Sequence, residues 1–176
     1  MVAIIAVDVD DVCLDLVTNW IKRYNVDYGD TLTKDQVTDW DITNFVKNEY
    51  RDAMLSYIRD DEVFLSATPI KNALETILWL KNKFRVIYIT ANDPLNCKFK
   101  WLLDNGFIEG VDDLIIAYDK SLILSSILID DKYENVKDRD GGWLFSQPWN
   151  KKYNFKNRVE NWIDIKNKIQ KGTIKL

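Results

Sequence analysis

Three short stretches of the chain are almost entirely apolar and do not alternate with polar residues. They are VAIIAV at 2–7, RVIYIT at 85–90 and SILID at 126–130. Runs rich in Ile and Val are typical of strands that are buried on both faces of a parallel sheet. Two weaker runs, at 113–118 and 142–146, extend the same pattern.

Segments with helical spacing of apolar residues lie between these runs. NALETILWLKNKF at 72–84 and KFKWLLDNGF at 98–107 predict helices, and Gly106 is expected to end the second one as a left-handed cap. Because strands alternate with helices, we expect an α/β domain with a mainly parallel sheet.

The stretch between the first two apolar runs is far longer than one crossover helix requires. It contains two amphipathic patterns, at 14–24 and 45–58. We therefore predict a small helical cap over 17–68, inserted after the first strand of an α/β core formed by 1–16 and 69–176.

The composition is that of a globular protein, with 47% hydrophobic and 30% charged residues. The net charge of -4 argues against a protein that binds a nucleic-acid polymer. Two cysteines form no disulfide framework, and neither a secretory signal nor an apolar run of membrane-spanning length is found. We expect a cytoplasmic protein with no membrane partner.

The chain contains no histidine. This absence excludes histidine general bases, phosphohistidine chemistry and zinc sites that include histidine. Any catalysis must therefore use Asp, Glu, Lys, Ser, Thr, Tyr or Cys.

Polar side chains end the three strongest strands. Asp8 ends the first, Thr90 the second and Asp130 the third, and Asp131 follows directly. Ligands of open parallel sheets bind beyond the carboxyl ends of the strands. If the sheet is parallel, these residues converge on one edge although they are distant in the sequence.

The acidic residues allow two interpretations. Asp8 and Asp10 could divide the roles of nucleophile or metal ligand and of general acid and base, or they could form a solvated loop with helix caps. Asp130 and Asp131 would complete an oxygen-rich site for a hard cation if they lie opposite Asp8, and Mg²⁺ fits such a site best. In a wet loop the same pair would need no cation.

Two further residues could contact phosphate. Thr90 could satisfy its hydroxyl within the core, or it could hold a phosphate oxygen together with the backbone N–H of Ala91. Lys120 could lie at the surface, as most lysines do, or it could contact a phosphate as a point charge.

Four motifs, in this order, resemble those of the haloacid dehalogenase (HAD) superfamily. They are AVDVDDV at 6–12, VIYITA at 86–91, Lys120 and ILIDD at 127–131. Within the superfamily the chain most resembles the 5'(3')-deoxyribonucleotidase group, the cytosolic type C family of deoxy, pyrimidine 5' nucleotidases. The stretches that carry this second resemblance are ATPIKNALETILWLKNKFRVIYITA, DKSLILSSILIDDKYENV and WLFSQPWNKKYNFKNRVENWIDI.

The resemblance implies a Rossmann-like HAD core and a two-step phosphoryl transfer on a nucleoside monophosphate. Asp8 would attack phosphorus and form an aspartyl-phosphate. Asp10 would protonate the leaving oxygen and then activate the hydrolytic water. The phosphoryl oxygens would be held by Thr90, Ala91 and Lys120.

The implied cofactor is Mg²⁺. It would be bound by the Asp8 carboxylate, the Asp10 backbone carbonyl and Asp130, with Asp131 assisting. The charges agree with this assignment, because a phosphate dianion and several carboxylates cannot share a cleft without cations.

Substrate choice would fall to the cap. Trp40 could stack on a base, whereas Phe45 and Phe64 are more typical of core packing. Lys132 stands where some relatives carry Arg near the nucleotide, and Asp11 stands where the group often has Gly. The partner would be a small-molecule substrate, and the resemblance is compatible with a homodimer.

Three rival functions remain open at this point. A HAD phosphatase acting on another small phosphomonoester, such as a sugar phosphate, would use the same core. A phosphorylation-activated receiver module also uses acids, Thr and Lys around Mg²⁺, but no acid ends a middle strand here and the long insertion disfavours it. A catalytically silent binding protein is disfavoured because every motif residue is present.

Overall fold

The computed structural model describes residues 2–91 and 94–172, and within them six strands form one parallel sheet. The spatial order of the strands is β3-β2-β1-β4-β5-β6. Their bounds are Ile4–Asp8 for β1, Arg85–Thr90 for β2, Leu114–Ile116 for β3, Ile127–Asp130 for β4, Gly142–Phe145 for β5 and Arg158–Val159 for β6. The predicted α/β fold with a parallel sheet is confirmed.

All five apolar runs found in the sequence form strands. The first run starts two residues later than predicted and continues to Asp8, which pairs with Ile89 at the end of β2. Strand β6 was not predicted, because it is only two residues long and Arg158 interrupts its apolar character. Strand β1 is central, with β2 on one side and β4 on the other.

Seven α-helices surround and extend this sheet in the described part of the chain. Their bounds are Leu16–Tyr28 for α1, Arg51–Tyr57 for α2, Asp61–Leu65 for α3, Ala73–Lys81 for α4, Leu95–Asp104 for α5, Tyr133–Val136 for α6 and Trp162–Gln170 for α7. Gly106 has a φ of 74°, which confirms the left-handed turn expected after α5.

The helix predicted over 45–58 is wrong in its first half. The chain instead forms two 3-10 turns, Ile42–Phe45 and Asn48–Tyr50, before α2 begins. The Asp41 carboxylate caps the first turn by accepting the Thr43 N–H, and Val46 is extended, which separates the two turns. An amphipathic pattern cannot distinguish such turns from a continuous helix.

The buried apolar side chains of the described residues form three clusters, two of which are large. One cluster lies between the sheet and α4, α5 and α7. A second cluster is built almost entirely from residues 17–63, including Ile21, Tyr24 and Met54, and Trp149 joins it from the core. This second cluster supports a separate cap, whose limits at 17 and 68 stay a prediction.

Within residues 2–91 and 94–172, no helix is long and apolar enough to cross a membrane.

Candidate active site

The polar residues at the strand ends meet at one edge of the sheet. Asp8, Thr90 and Asp130 are the last residues of β1, β2 and β4, which are neighbours. A cavity of about 980 Å³ opens beyond this edge, a volume that suits a small-molecule ligand. Its walls include, among the predicted site residues, Asp8, Asp10, Thr90, Ala91, Lys120, Asp131, Lys132 and Trp40. Asp130 is fully buried beneath this wall.

Three carboxylates and one ammonium group lie together at the floor of the cavity and directly beneath it. One carboxylate oxygen from each of Asp8, Asp130 and Asp131 lies within 4.8 Å of the other two. Lys120 Nζ lies 2.7 Å from Asp8 Oδ1 and 2.8 Å from Asp130 Oδ2. Three negative charges therefore share one positive charge, and a divalent cation would neutralise the difference.

Asp8 and Asp131 at this floor are buried with too little positive charge beside them, which raises the pKa values of their carboxyl groups. Burial raises the pKa of Asp8 to about 7, since Lys120 only partly offsets it and Asp130 and Asp10 add to the rise. The pKa of Asp131 is raised well above its ordinary value by burial and by Asp8, Asp130 and Asp11. A further cation would keep both carboxylates ionised at neutral pH.

Lys120 remains protonated in this environment. Burial alone would lower the pKa of its ammonium group, but Asp8 and Asp130 outweigh burial and raise the pKa. Two of its three hydrogens are directed to these carboxylates, so the third can be donated to a ligand. The sequence alone is compatible with a surface position for Lys120, but the structure buries this residue at 4% exposure.

Asp130 and Asp131 have different surroundings. Asp130 Oδ2 accepts hydrogen bonds from Lys120 and from Asn135, at 2.8 and 3.0 Å, and Oδ1 accepts the Lys132 backbone N–H at 2.8 Å. Asp131 Oδ2 accepts a hydrogen bond from Trp149 Nε1 at 2.8 Å. Protein donors thus hold both oxygens of Asp130, which leaves Asp131 better able to bind a cation.

A buried lysine that the sequence analysis did not identify lies beside Asp10. Lys98 Nζ is 2.6 Å from Asp10 Oδ2 and 2.7 Å from Thr90 Oγ1, and the Lys98 side chain is 1% exposed. One signal was available, because Lys98 shares the buried face of α5 with Trp101 and Leu102 at helical spacing. A lysine in that position needs a buried partner.

Asp11 joins the acidic loop to the cap. Its φ of 51° is in the left-handed region that favours glycine. Its Oδ1 accepts hydrogen bonds from Lys34 Nζ at 2.9 Å and from the Val17 N–H at 3.3 Å, and Lys34 also lies 2.6 Å from Asp15. The backbone carbonyl of Asp11 accepts from Gln147 Nε2 at 2.6 Å.

The cap side of the cavity is aromatic and more exposed. Trp40 is 53% exposed, and its ring meets that of Trp149 edge-on at 6.4 Å. Lys132 Nζ lies 5.0 Å from the centre of the Trp40 ring. Phe64 is instead buried in the core cluster and Phe45 packs against the cap cluster, in line with the core roles expected for them.

Comparisons with known proteins agree with this geometry. Residues 2–174 match the family described as "5' nucleotidase, deoxy (Pyrimidine), cytosolic type C protein". The chain belongs to this nucleotidase family. The prediction of a phosphoric monoester hydrolase is confirmed at the level of the family.

Individual members of the nucleotidase family match nearly the whole chain. A 5'(3')-deoxyribonucleotidase of Bacillus subtilis is 29% identical over 96% of this chain and 99% of its own length. A 5'(3')-deoxyribonucleotidase of Clostridium acetobutylicum is also 29% identical, with 92% of each chain covered. A phosphomonoesterase that acts on nucleotides is therefore the function that the family supports.

Solved structures show the fold of the wider superfamily. The HAD hydrolase YfnB of Bacillus subtilis, solved bound to magnesium, has a TM-score of 0.63 at 14% identity, with 96% of this chain and 99% of that one covered. A haloacid dehalogenase-like hydrolase from Streptococcus pneumoniae has a TM-score of 0.65 at 9% identity, with the same coverage. The predicted HAD-like fold of this nucleotidase family member is confirmed.

Proposed function

We propose that the protein hydrolyses deoxyribo- or ribonucleoside monophosphates to nucleoside and phosphate, with Mg²⁺ and through an aspartyl-phosphate on Asp8. The observation that supports this proposal most is the buried trio of Asp8, Asp130 and Asp131 beside a single ammonium group. Such a floor repels an anionic substrate unless a divalent cation is bound.

The donor set fits Mg²⁺, which prefers carboxylate and carbonyl oxygens. Asp8 and Asp131 would bind it with their carboxylates, and Asp10 with its backbone carbonyl. Asp130 would act mainly by holding Lys120, since Lys120, Asn135 and a backbone N–H already engage both of its oxygens. When bound, the ion would neutralise charge on the substrate phosphate and on the surrounding carboxylates.

Asp8 is the proposed nucleophile. Its Oδ1 is held by the Val9 N–H at 2.7 Å and by Lys120 at 2.7 Å, so Oδ2 is the oxygen that we expect to attack phosphorus. A bond would form between that oxygen and phosphorus while the bond to the nucleoside oxygen breaks. The Lys120 ammonium, the Thr90 hydroxyl and the Ala91 N–H would hold the phosphoryl oxygens.

Asp10 is the proposed proton carrier. In the first step it would give its proton to the leaving nucleoside oxygen. In the second step it would take a proton from the water that attacks phosphorus, and the bond between phosphorus and Asp8 would break to release phosphate. Asp10 would then again be protonated, so the cycle closes without another acid or base.

The cap supports a nucleotide as the substrate. Trp40 is 53% exposed and lines the cavity, and base stacking on an aromatic ring contributes about 1–3 kcal/mol per base. Lys132 lies over the same ring, where its charge could also meet a phosphate or a base oxygen. A sugar phosphate would leave this aromatic surface without a partner.

A panel of phosphomonoesters tests the proposal. Phosphate release would be measured with Mg²⁺ for deoxyribo- and ribonucleoside 5'- and 3'-monophosphates and for sugar phosphates, with a chelator as the control. We expect release from nucleotides that ceases with the chelator. Activity on sugar phosphates alone would contradict the nucleotide assignment, and unchanged activity with the chelator would contradict the metal.

A further inference from the structure

We propose that Lys98 is a positioning residue of the active site, which orients Asp10 for proton transfer and sets the direction in which the Thr90 hydroxyl donates. This inference rests on the proposed function. It is carried by the two short contacts of Lys98 Nζ, to Asp10 at 2.6 Å and to Thr90 at 2.7 Å. Thr90 is the last residue of β2 and Asp10 lies two residues beyond the end of β1, whereas Lys98 comes from α5.

The bond to Thr90 fixes a hydrogen. An ammonium group only donates hydrogen bonds, so Thr90 Oγ1 must be the acceptor. The single hydroxyl hydrogen of Thr90 is therefore directed away from Lys98. It can be donated to a phosphoryl oxygen, which is the role proposed for Thr90 at the end of β2.

The bond to Asp10 distinguishes its two oxygens. Oδ2 accepts from Lys98, whereas Oδ1 is buried and has no hydrogen-bond partner among the described residues. A buried polar atom without a partner is costly unless a ligand supplies one. Oδ1 is accordingly the oxygen left to exchange a proton with the leaving nucleoside oxygen and later with water.

The position of Lys98 is unusual for a lysine. Its side chain is 1% exposed, and α5 places it among Cys97, Trp101 and Leu102 on the face that packs against the core. By contrast Lys100, two residues later, has a side chain that is 60% exposed and pairs with Asp104 on the same helix. Because the Lys98 side chain is buried, the packing around it leaves few other rotamers and holds its ammonium group at Asp10.

Substitution Lys98→Met tests this role, because methionine has a similar length and no charge. The readout is kcat/KM for two substrates, a deoxyribonucleoside monophosphate and p-nitrophenyl phosphate. The nitrophenolate leaving group needs little protonation, and kcat/KM reports only the steps up to its departure. The two substrates thus separate loss of proton transfer from general damage.

We expect kcat/KM of Lys98→Met to fall about 100-fold or more for the nucleotide. The fold loss for p-nitrophenyl phosphate should be at least ten times smaller than the fold loss for the nucleotide. The inhibition constant of inorganic phosphate should rise, because the Thr90 hydroxyl is no longer directed to it. Lys100→Met is the matched control and should leave all these values unchanged. Equal losses on both substrates would overturn the proposal for Asp10, and an unchanged inhibition constant would overturn it for Thr90.

A double variant protects the test against misfolding of Lys98→Met. Combining it with Asp10→Asn removes both charges of the buried pair, which leaves no uncompensated charge. If Lys98 acts through Asp10, the double variant and Asp10→Asn alone should have kcat/KM values for p-nitrophenyl phosphate within about tenfold. A further loss of 100-fold would overturn the proposal, while lack of nucleotide hydrolysis by the unmodified protein would instead overturn the proposed function.

Discussion

The two ends of the active-site cavity are built in different ways. At the sheet, Asp8, Lys98, Lys120 and Asp131 are each less than 10% exposed, and each is held by a second charged or polar group. At the cap, Trp40 is 53% exposed, and its ring contacts the Trp149 ring and the Lys132 ammonium group. The sheet end is fixed in advance for phosphate, whereas the cap end presents an adaptable apolar surface.

This difference separates chemistry from specificity. Preorganised charges are effective in catalysis because they need no rearrangement during the reaction. An aromatic surface can accept any base, because every base has a flat face. Loss of the nucleophile at the sheet end should therefore affect all phosphomonoesters alike, whereas loss of Lys98 should spare esters whose leaving group needs no proton. Substitutions at the cap end should affect nucleotides alone.

The largest expected effect comes from Asp8→Asn at the sheet end. The amide cannot attack phosphorus, so activity should fall about 10⁴-fold or more on nucleotides and on p-nitrophenyl phosphate alike. Phosphate release at saturating Mg²⁺ measures this loss, and Asp104→Asn on the exposed face of α5 is the control. Retention of more than a few per cent of the activity would contradict the nucleophile assignment.

The next effect concerns the metal. Because Asp131 is the carboxylate better able to bind a cation, Asp131→Asn should raise the Mg²⁺ concentration needed for half-maximal activity by about 10–100-fold. Mg²⁺ at 100 times its Kd should stabilise the unmodified protein by about 2.7 kcal/mol, which a thermal melt detects as a rise in Tm.

The same melts provide the control for Asp131→Asn. Asp138→Asn removes an acid whose side chain is 86% exposed and should keep the full Mg²⁺-dependent rise. If Asp131→Asn also kept the full Mg²⁺-dependent rise in Tm, Asp131 would not be a metal ligand. The assignment predicted from the sequence, in which Asp130 binds the metal and Asp131 assists, would then be preferred.

At the cap end, Trp40→Ala should reduce kcat/KM for nucleotides by about tenfold, within the range that loss of one stacking contact allows. The kcat/KM for p-nitrophenyl phosphate should stay within about twofold of that of the unmodified protein. Trp40→Phe keeps an aromatic ring and should lose less. An equal loss on both substrates would mean that Trp40 supports the fold of the cap rather than the base.

The residues at the strand ends were largely predictable from the sequence, but the ion pairs that join different elements were not. Asp8, Thr90 and Asp130 could be found because each directly follows a buried run, and parallel strands bring their ends together. Lys98 and Lys34 were missed because their partners are distant in sequence: Lys98 meets Asp10, which is 88 residues away. A helical or turn lysine does not reveal such a partner.

The last expected effect is on stability and not on activity, and it lies at the junction of the two ends, where Lys34 of the cap holds Asp11. Burial raises the pKa of Asp11 to about 6, and Lys34 offsets this only in part. At pH of about 3 or below, Asp11 is mostly neutral in both the folded and the unfolded chain. As pH rises from about 4 to about 6, the unfolded chain loses this proton while the folded chain retains it, so the contribution to stability is lost over this range.

Asp11→Asn should therefore stabilise the protein at higher pH. Asparagine cannot ionise and also tolerates the left-handed backbone of this position. The gain in the free energy of unfolding should grow from near zero at pH of about 3 to about 3 kcal/mol at pH of about 8. Denaturant unfolding with a chelator measures it, and Asp15→Asn controls for loss of a Lys34 ion pair. If Asp11→Asn were less stable than the unmodified protein at pH 8, the ion pair between Asp11 and Lys34 would contribute more to stability than the burial of the Asp11 carboxylate costs.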